Sequence, residues 1–131
     1  MGVLARIGLY AGVLALLAAP LAACGPKAPM TVESAAGCVD HDWGYHDDEF
    51  GARNACNTPV SIWFMQQGGQ VMHADLTAGA RFSTGLGADQ MANVLWAAEV
   101  CPAGFEPQPA LSAATFDQVR NDQYSCARAP S

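Results

Sequence analysis

Positive charge is scarce in this chain. Six Lys and Arg stand against twelve Asp and Glu among 131 residues, and charged residues make up only 14% of the total. A nucleic-acid backbone or an anionic headgroup surface calls for a basic patch, so nucleic acid is a poor partner and electrostatic membrane binding is disfavoured. Motifs that carry chemistry are missing too. There is no Cys-x-x-Cys spacing for a dithiol redox centre and no His-Glu-x-x-His for a zinc peptidase. Gly85-Leu86-Gly87 lacks the Lys-Ser/Thr end of a phosphate loop and reads as a turn. Neither Gly-x-Ser-x-Gly nor Ser-x-x-Lys occurs, so no nucleophile is assembled, and the expectation is a non-enzyme without a cofactor.

What is present begins at the N-terminus. Met1 to Arg6 form a basic start, Ile7 to Ala19 an apolar run too short to span a bilayer comfortably, and Pro20 to Ala23 a small-residue approach to a cleavage site. The ending Leu21-Ala22-Ala23-Cys24 resembles the lipobox of bacterial lipoprotein precursors. That resemblance implies cleavage before Cys24, a thioether-linked diacylglycerol on its sulfur and, as a rule, an N-acyl chain. Gly25 stands where an Asp would signal retention in the inner membrane, so the resemblance implies the periplasmic face of the outer membrane. Two or three acyl chains, at about 0.8 kcal/mol per buried methylene, hold such a protein without a transmembrane helix. The alternative is an ordinary signal peptide, with Cys24 left as one more thiol.

Cysteine parity supports the lipid. Five cysteines in an exported chain leave one unpaired, and lipidation of Cys24 accounts for it. Cys38, Cys56, Cys101 and Cys126 then form two disulfides. The preferred pairing is Cys38–Cys56 with Cys101–Cys126, because each bond closes a loop of modest length. The nested pairing, Cys56–Cys101 with Cys38–Cys126, stays open, since closure entropy barely separates the two. Residues 24–37 read as the lipidated cysteine and a flexible tether, 38–128 as one small stapled domain, and 129–131 as a frayed end. A domain of that size is marginal unless cross-linked, and an oxidising compartment permits the cross-links. Its charge is −7, from five basic and twelve acidic residues after position 23.

The pattern of the domain is that of an all-β or β-rich fold. Phe50 to Cys56 and Val60 to Met65 alternate as strands around the turn Asn57-Thr58-Pro59, a candidate hairpin. Gln70 to Leu76, Arg81 to Thr84, Asn93 to Cys101 and Tyr124 to Arg128 follow as further strands. A small antiparallel sandwich or barrel of five to six strands is expected, with at most one short helical turn at Thr115-Phe116-Asp117-Gln118, which matches a capping box. Pro102 to Pro109 carries three prolines and reads as irregular. Asn54-Ala55-Cys56 turning into Val60 and Trp63 resembles the opening of thaumatin-like proteins, and this likeness implies a β-sandwich and no particular function.

Two constellations hold chemically versatile side chains. Asp40 to Glu49, read as a loop, contains His41, His46, Asp42 and Asp47, a candidate metal cluster set against the ordinary alternative of a solvated acidic loop. An EF-hand is excluded there, because with Asp40 first the required glycine falls at Tyr45. His73 and Asp75 lie two apart on a strand and so share a face, but they lack a nucleophile, Ser61 and Ser83 being unplaced. The expected function is therefore a lipid-anchored binding or envelope-structural module, with a partner such as an envelope protein or peptidoglycan. The alternative is a metal-binding periplasmic protein.

The lipobox is tested on protein extracted from membranes of its native host. Intact and peptide masses should place diacylglycerol on Cys24, and Cys24→Ser should accumulate as an uncleaved precursor. A mature N-terminus without lipid would leave only an ordinary signal peptide.

Overall fold

The computed structural model describes residues 30–43 and 49–128; Cys24, His46 and Asp47 lie outside them. Among the described residues nine strands form three antiparallel sheets: β1 (Thr31–Val32), β2 (Val39–Trp43), β3 (Glu49–Asn54), β4 (Val60–Gln66), β5 (Val71–Leu76), β6 (Arg81–Gly87), β7 (Trp96–Pro102), β8 (Phe105–Gln108) and β9 (Ser125–Arg128). Helices α1 (Ala88–Met91) and α2 (Phe116–Arg120) are single turns. The sheet orders are β2-β3-β6, β5-β4-β7 and β1-β9-β8. Among the described residues no helix is long and apolar enough to cross a membrane.

Strand β4 sits at the centre because both of its faces are apolar. Val60, Ile62 and Phe64 are buried on one face, while Ser61 and Met65 are buried on the other beside half-buried Trp63. The first face meets the β2-β3-β6 sheet through Val39, Ala52, Phe82 and Phe50, and this is the sandwich core. The second face carries Met65 and Ala97 beneath Leu111, Phe116 and Val119. The β5-β4-β7 sheet is thus the middle of three layers, which is why β4 reads as a nearly continuous apolar run.

The expected antiparallel, disulfide-stapled β fold is present, and the bonds are Cys38–Cys56 and Cys101–Cys126. They span 18 and 25 residues. Loops of that length restrict the unfolded chain by about 3 kcal/mol each. The first ties the start of β2 to the end of β3, and the second ties β7 to β9.

Several expectations are corrected. Residues 31–37, expected as part of the tether, are built into the domain: β1 pairs with β9, and Ala36–Cys38 is a 3-10 turn whose approach is held by the Ala35 N–H on the Val100 carbonyl at 2.8 Å. The acidic run contains a strand, β2, because alternation puts Val39 into the core and Asp40 out to solvent. Within 102–109 lies β8, which tolerates Pro107 because it is an edge strand whose missing N–H breaks no inner ladder. Gly85-Leu86-Gly87 is not a turn; it ends β6, which runs straight into α1, where Gln90 Oε1 accepts the Gly87 N–H at 3.1 Å. At α2 the capping box is not formed. Thr115 Oγ1 donates to the Ala110 carbonyl and Gln118 Nε2 to Gln123, although Phe116 and Val119 do face the sheet.

The candidate hairpin of β3 and β4 is not one, since β3 pairs with β2 and β6 while β4 pairs with β5 and β7. Asn54 causes the crossing. Fully buried, its amide nitrogen donates to the carbonyls of Thr58 (2.9 Å), Leu76 (3.1 Å) and Thr77 (3.2 Å). Its Oδ1 accepts the Cys56 N–H at 3.0 Å. The chain leaving β3 is held against the β5–β6 turn and directed into the other sheet.

Asn54→Ala should lower unfolding stability by about 3 kcal/mol, since buried carbonyls lose their donor. Asn54→Asp should cost more at neutral pH, because it sets a carboxylate against three carbonyl oxygens. Urea unfolding midpoints give the order, and an Asp variant as stable as the parent would refute this role.

Candidate functional site

The outer face of the middle sheet brings together residues from three strands. Trp63 pairs with His73 on one side and with Glu99 on the other, and Ser61 lies opposite Asp75. His73 stacks on Trp63 with ring centroids 4.6 Å apart, and its Nε2 lies 3.3 Å from Asp75 Oδ1. The Ser61 hydroxyl donates to that same Oδ1 at 2.6 Å. The three residues meet in the wrong order for nucleophilic catalysis. A triad needs imidazole between hydroxyl and carboxylate to take the serine proton, whereas here the carboxylate stands between them. The side chains of His73 and Asp75 are 46% and 77% exposed, which makes this a solvated surface pair. Ser83 is elsewhere, donating to Glu49 across β3 and β6.

In the acidic run, strand alternation separates the described candidates. His41 turns toward the mouth of the sandwich, its ring 4.9 Å from that of Trp96 and parallel to Phe50 at 6.0 Å. Asp42 projects to the opposite face of β2. Partial burial lowers the His41 pKa against the pull of Asp40 and Asp42. Among the described residues no three His, Cys, Asp or Glu side chains converge on a common point.

Beside His41 lies a feature with no motif in the sequence. β7 is an edge strand of the middle sheet. The N–H of Val100 is taken by the Tyr124 hydroxyl (2.9 Å) and its carbonyl by Ala35, both on the side away from β4. Backbone groups of alternate residues point to the same side of a strand, so the N–H and C=O of Trp96 and Ala98 also point outward, along the part of the edge not capped at Val100. They border a groove of about 510 Å³, with His41, Leu95 and Trp96 on one part of its wall and Val119, Arg120 and Asp122 on another. Leu95 is 40% exposed.

Glu99 lies on the same strand with its side chain turned the other way. It is fully buried, and neither carboxyl oxygen has a hydrogen-bond partner among the described residues. Burial raises its pKa from 4.5 to about 7, while the nearby Leu111 amide, outside hydrogen-bond geometry, pulls the other way. The signal that marks it is a lone glutamate inside the apolar run Trp96 to Cys101, where both faces of the strand are covered. The groove left no such mark, because residues far apart in the chain, from His41 to Asp122, come together to line it.

No protein family, curated protein or solved structure matches the chain.

Glu99 should make folding stability depend on pH. Between pH 4.5 and about 7 the unfolded chain releases a proton that the folded one keeps, so stability falls as pH rises through that window and is level above it. The total loss is about 3 kcal/mol. Glu99→Gln should remove this slope and exceed the parent in stability at pH 8, as read from urea unfolding at pH 4.5 and 8. Parallel profiles for the two proteins would contradict the buried carboxyl.

Proposed function

We propose that this protein is a lipid-anchored module, facing the periplasm from the outer membrane, that binds an extended segment of an envelope protein along the open edge of β7. The observation that carries the reading is the outward-pointing backbone of Trp96 and Ala98 beside an apolar groove. Such an edge takes up a further strand: its main-chain groups provide the hydrogen bonds, and the groove accepts alternate side chains of the segment. The pairing stretch is short because Val100 is already capped, so Leu95, Trp96 and the ring of His41 supply much of the contact. Charge sets the kind of segment. At −7 beyond position 23, the domain favours a basic partner over an acidic one. The two disulfides suit the role, since they fasten β2 to β3 and β7 to β9 and keep the edge in place.

A photo-crosslinking amino acid at Leu95, in the full-length protein in its own membranes, tests this. Val71, equally exposed on the opposite edge of the sheet, is the control position. A protein adduct from position 95 alone, lost when Ala98→Pro removes the outward N–H, is the expected result. Equal adducts from both positions, or adducts to peptidoglycan fragments, would overturn it.

A further inference from the structure

Glu99 and the β7 edge share a strand and are covered by one layer. Residues 109–124 cross the outer face of the middle sheet, pressing Leu111, Phe116 and Val119 onto Met65 and Ala97. Val119 also lines the groove, and Arg120 follows it there. The Glu99 carboxyl sits beneath this layer with no hydrogen-bond partner for either oxygen among the described residues. An ionised carboxylate is far costlier to bury unpaired than a neutral acid.

Of the neighbouring elements, only the Leu111 amide favours the charged form, and burial outweighs it. From β4 the group meets Trp63, opposite it in register. From the covering layer it meets the Leu111 backbone, and the Tyr124 hydroxyl lies near enough to feel its charge. Tyr124 is the titratable group facing it, and its hydroxyl is pushed upward by burial, with Glu99 and Asp122 adding to the effect. Asp117 and Arg120 on α2 are exposed, and His73 and Asp75 on β5 are exposed and paired with each other. No cation faces Glu99 among the described residues.

The layer can move without breaking a sheet. Its two ends continue into β8 and β9, which pair with each other, and the Cys101–Cys126 bond holds β9 to β7. Between those ends, contact with the middle sheet is mainly apolar, apart from the Tyr124 hydroxyl on Val100.

We propose that residues 109–124 form a proton-controlled flap: they close over the middle sheet while Glu99 is protonated, and they lift when it ionises, taking Val119 and Arg120 away from the β7 groove. The inference rests on the groove being the binding edge only for its consequence, which is that partner binding changes with pH. The opening itself stands on Glu99 alone.

Hydrogen exchange on the acylated protein in neutral detergent, corrected for chemical exchange rates, provides the test. From pH 5.5 to 8.0, protection across residues 111–121 should fall about thirtyfold, as a carboxyl moving between pKa values of about 7 and 4.5 requires. Protection of residues 60–66 should hold. Glu99→Gln should keep the flap closed at both pH values, and Glu99→Leu serves the same purpose if the glutamine amide is not accommodated. Unchanged protection in the parent, or the same loss in both variants, would overturn the flap. If the flap opens as expected and Leu95 still gives no adduct at either pH, the groove reading fails and the flap stands. Adduct yield that follows pH in the parent but not in Glu99→Gln joins the two.

Discussion

The buried amide of Asn54 is the constraint on which the arrangement of the sheets depends. Three carbonyl oxygens and one amide of the surrounding turns find their partners on this one side chain. Its main chain adds two more bonds, donating to Ala80 and accepting from Gly79. Without a polar centre there, buried backbone groups at the junction of β3, β4 and the β5–β6 turn would go unpaired. With it, the chain crosses between sheets instead of folding back as a hairpin, and Cys38–Cys56 fastens the crossing from the other side. The middle sheet is then free to be covered on both faces.

That double covering explains the two unusual features of β7. A strand with both faces buried has little room for a charge, so Glu99 is held in its neutral form up to about pH 7. The same strand is an edge, and only part of that edge is capped: Ala35 and Tyr124 satisfy Val100, while the groups of Trp96 and Ala98 face the groove. A capped and an open stretch on one strand, with a buried acid between Ala98 and Val100, put a binding edge and its cover in mechanical contact.

Much of the fold could be read from alternation. Val60 to Met65 and Gln70 to Leu76 lie close to β4 and β5, and the turn at Gly68 has the positive φ of 78° that favours glycine there. Elements carrying weak or contrary local signals were not legible. β2 is masked by its acidic residues, β8 by its proline, and β1 by its short length, and each exists because a partner strand supplies its bonds. Of the candidate chemistry, the His73–Asp75 pair was legible because strand period alone puts the two on one face. The place of Ser61 on the far side of Asp75 was not, since it depends on the register between β4 and β5.

The sequence by itself determined the resemblance to a lipoprotein start, the acidity of the domain, the cysteine parity and the β character, because each is a property of composition or of neighbouring residues. It left two disulfide pairings open, and the tertiary structure decided between them by bringing Cys38 beside Cys56 and Cys101 beside Cys126. Tertiary structure alone also decided that Glu99 is buried with no hydrogen-bond partner among the described residues and that Trp96 and Ala98 lie on an edge strand beside the groove. Burial and edge position arise from which strands pair and which faces are covered, and no stretch of residues encodes those relations locally.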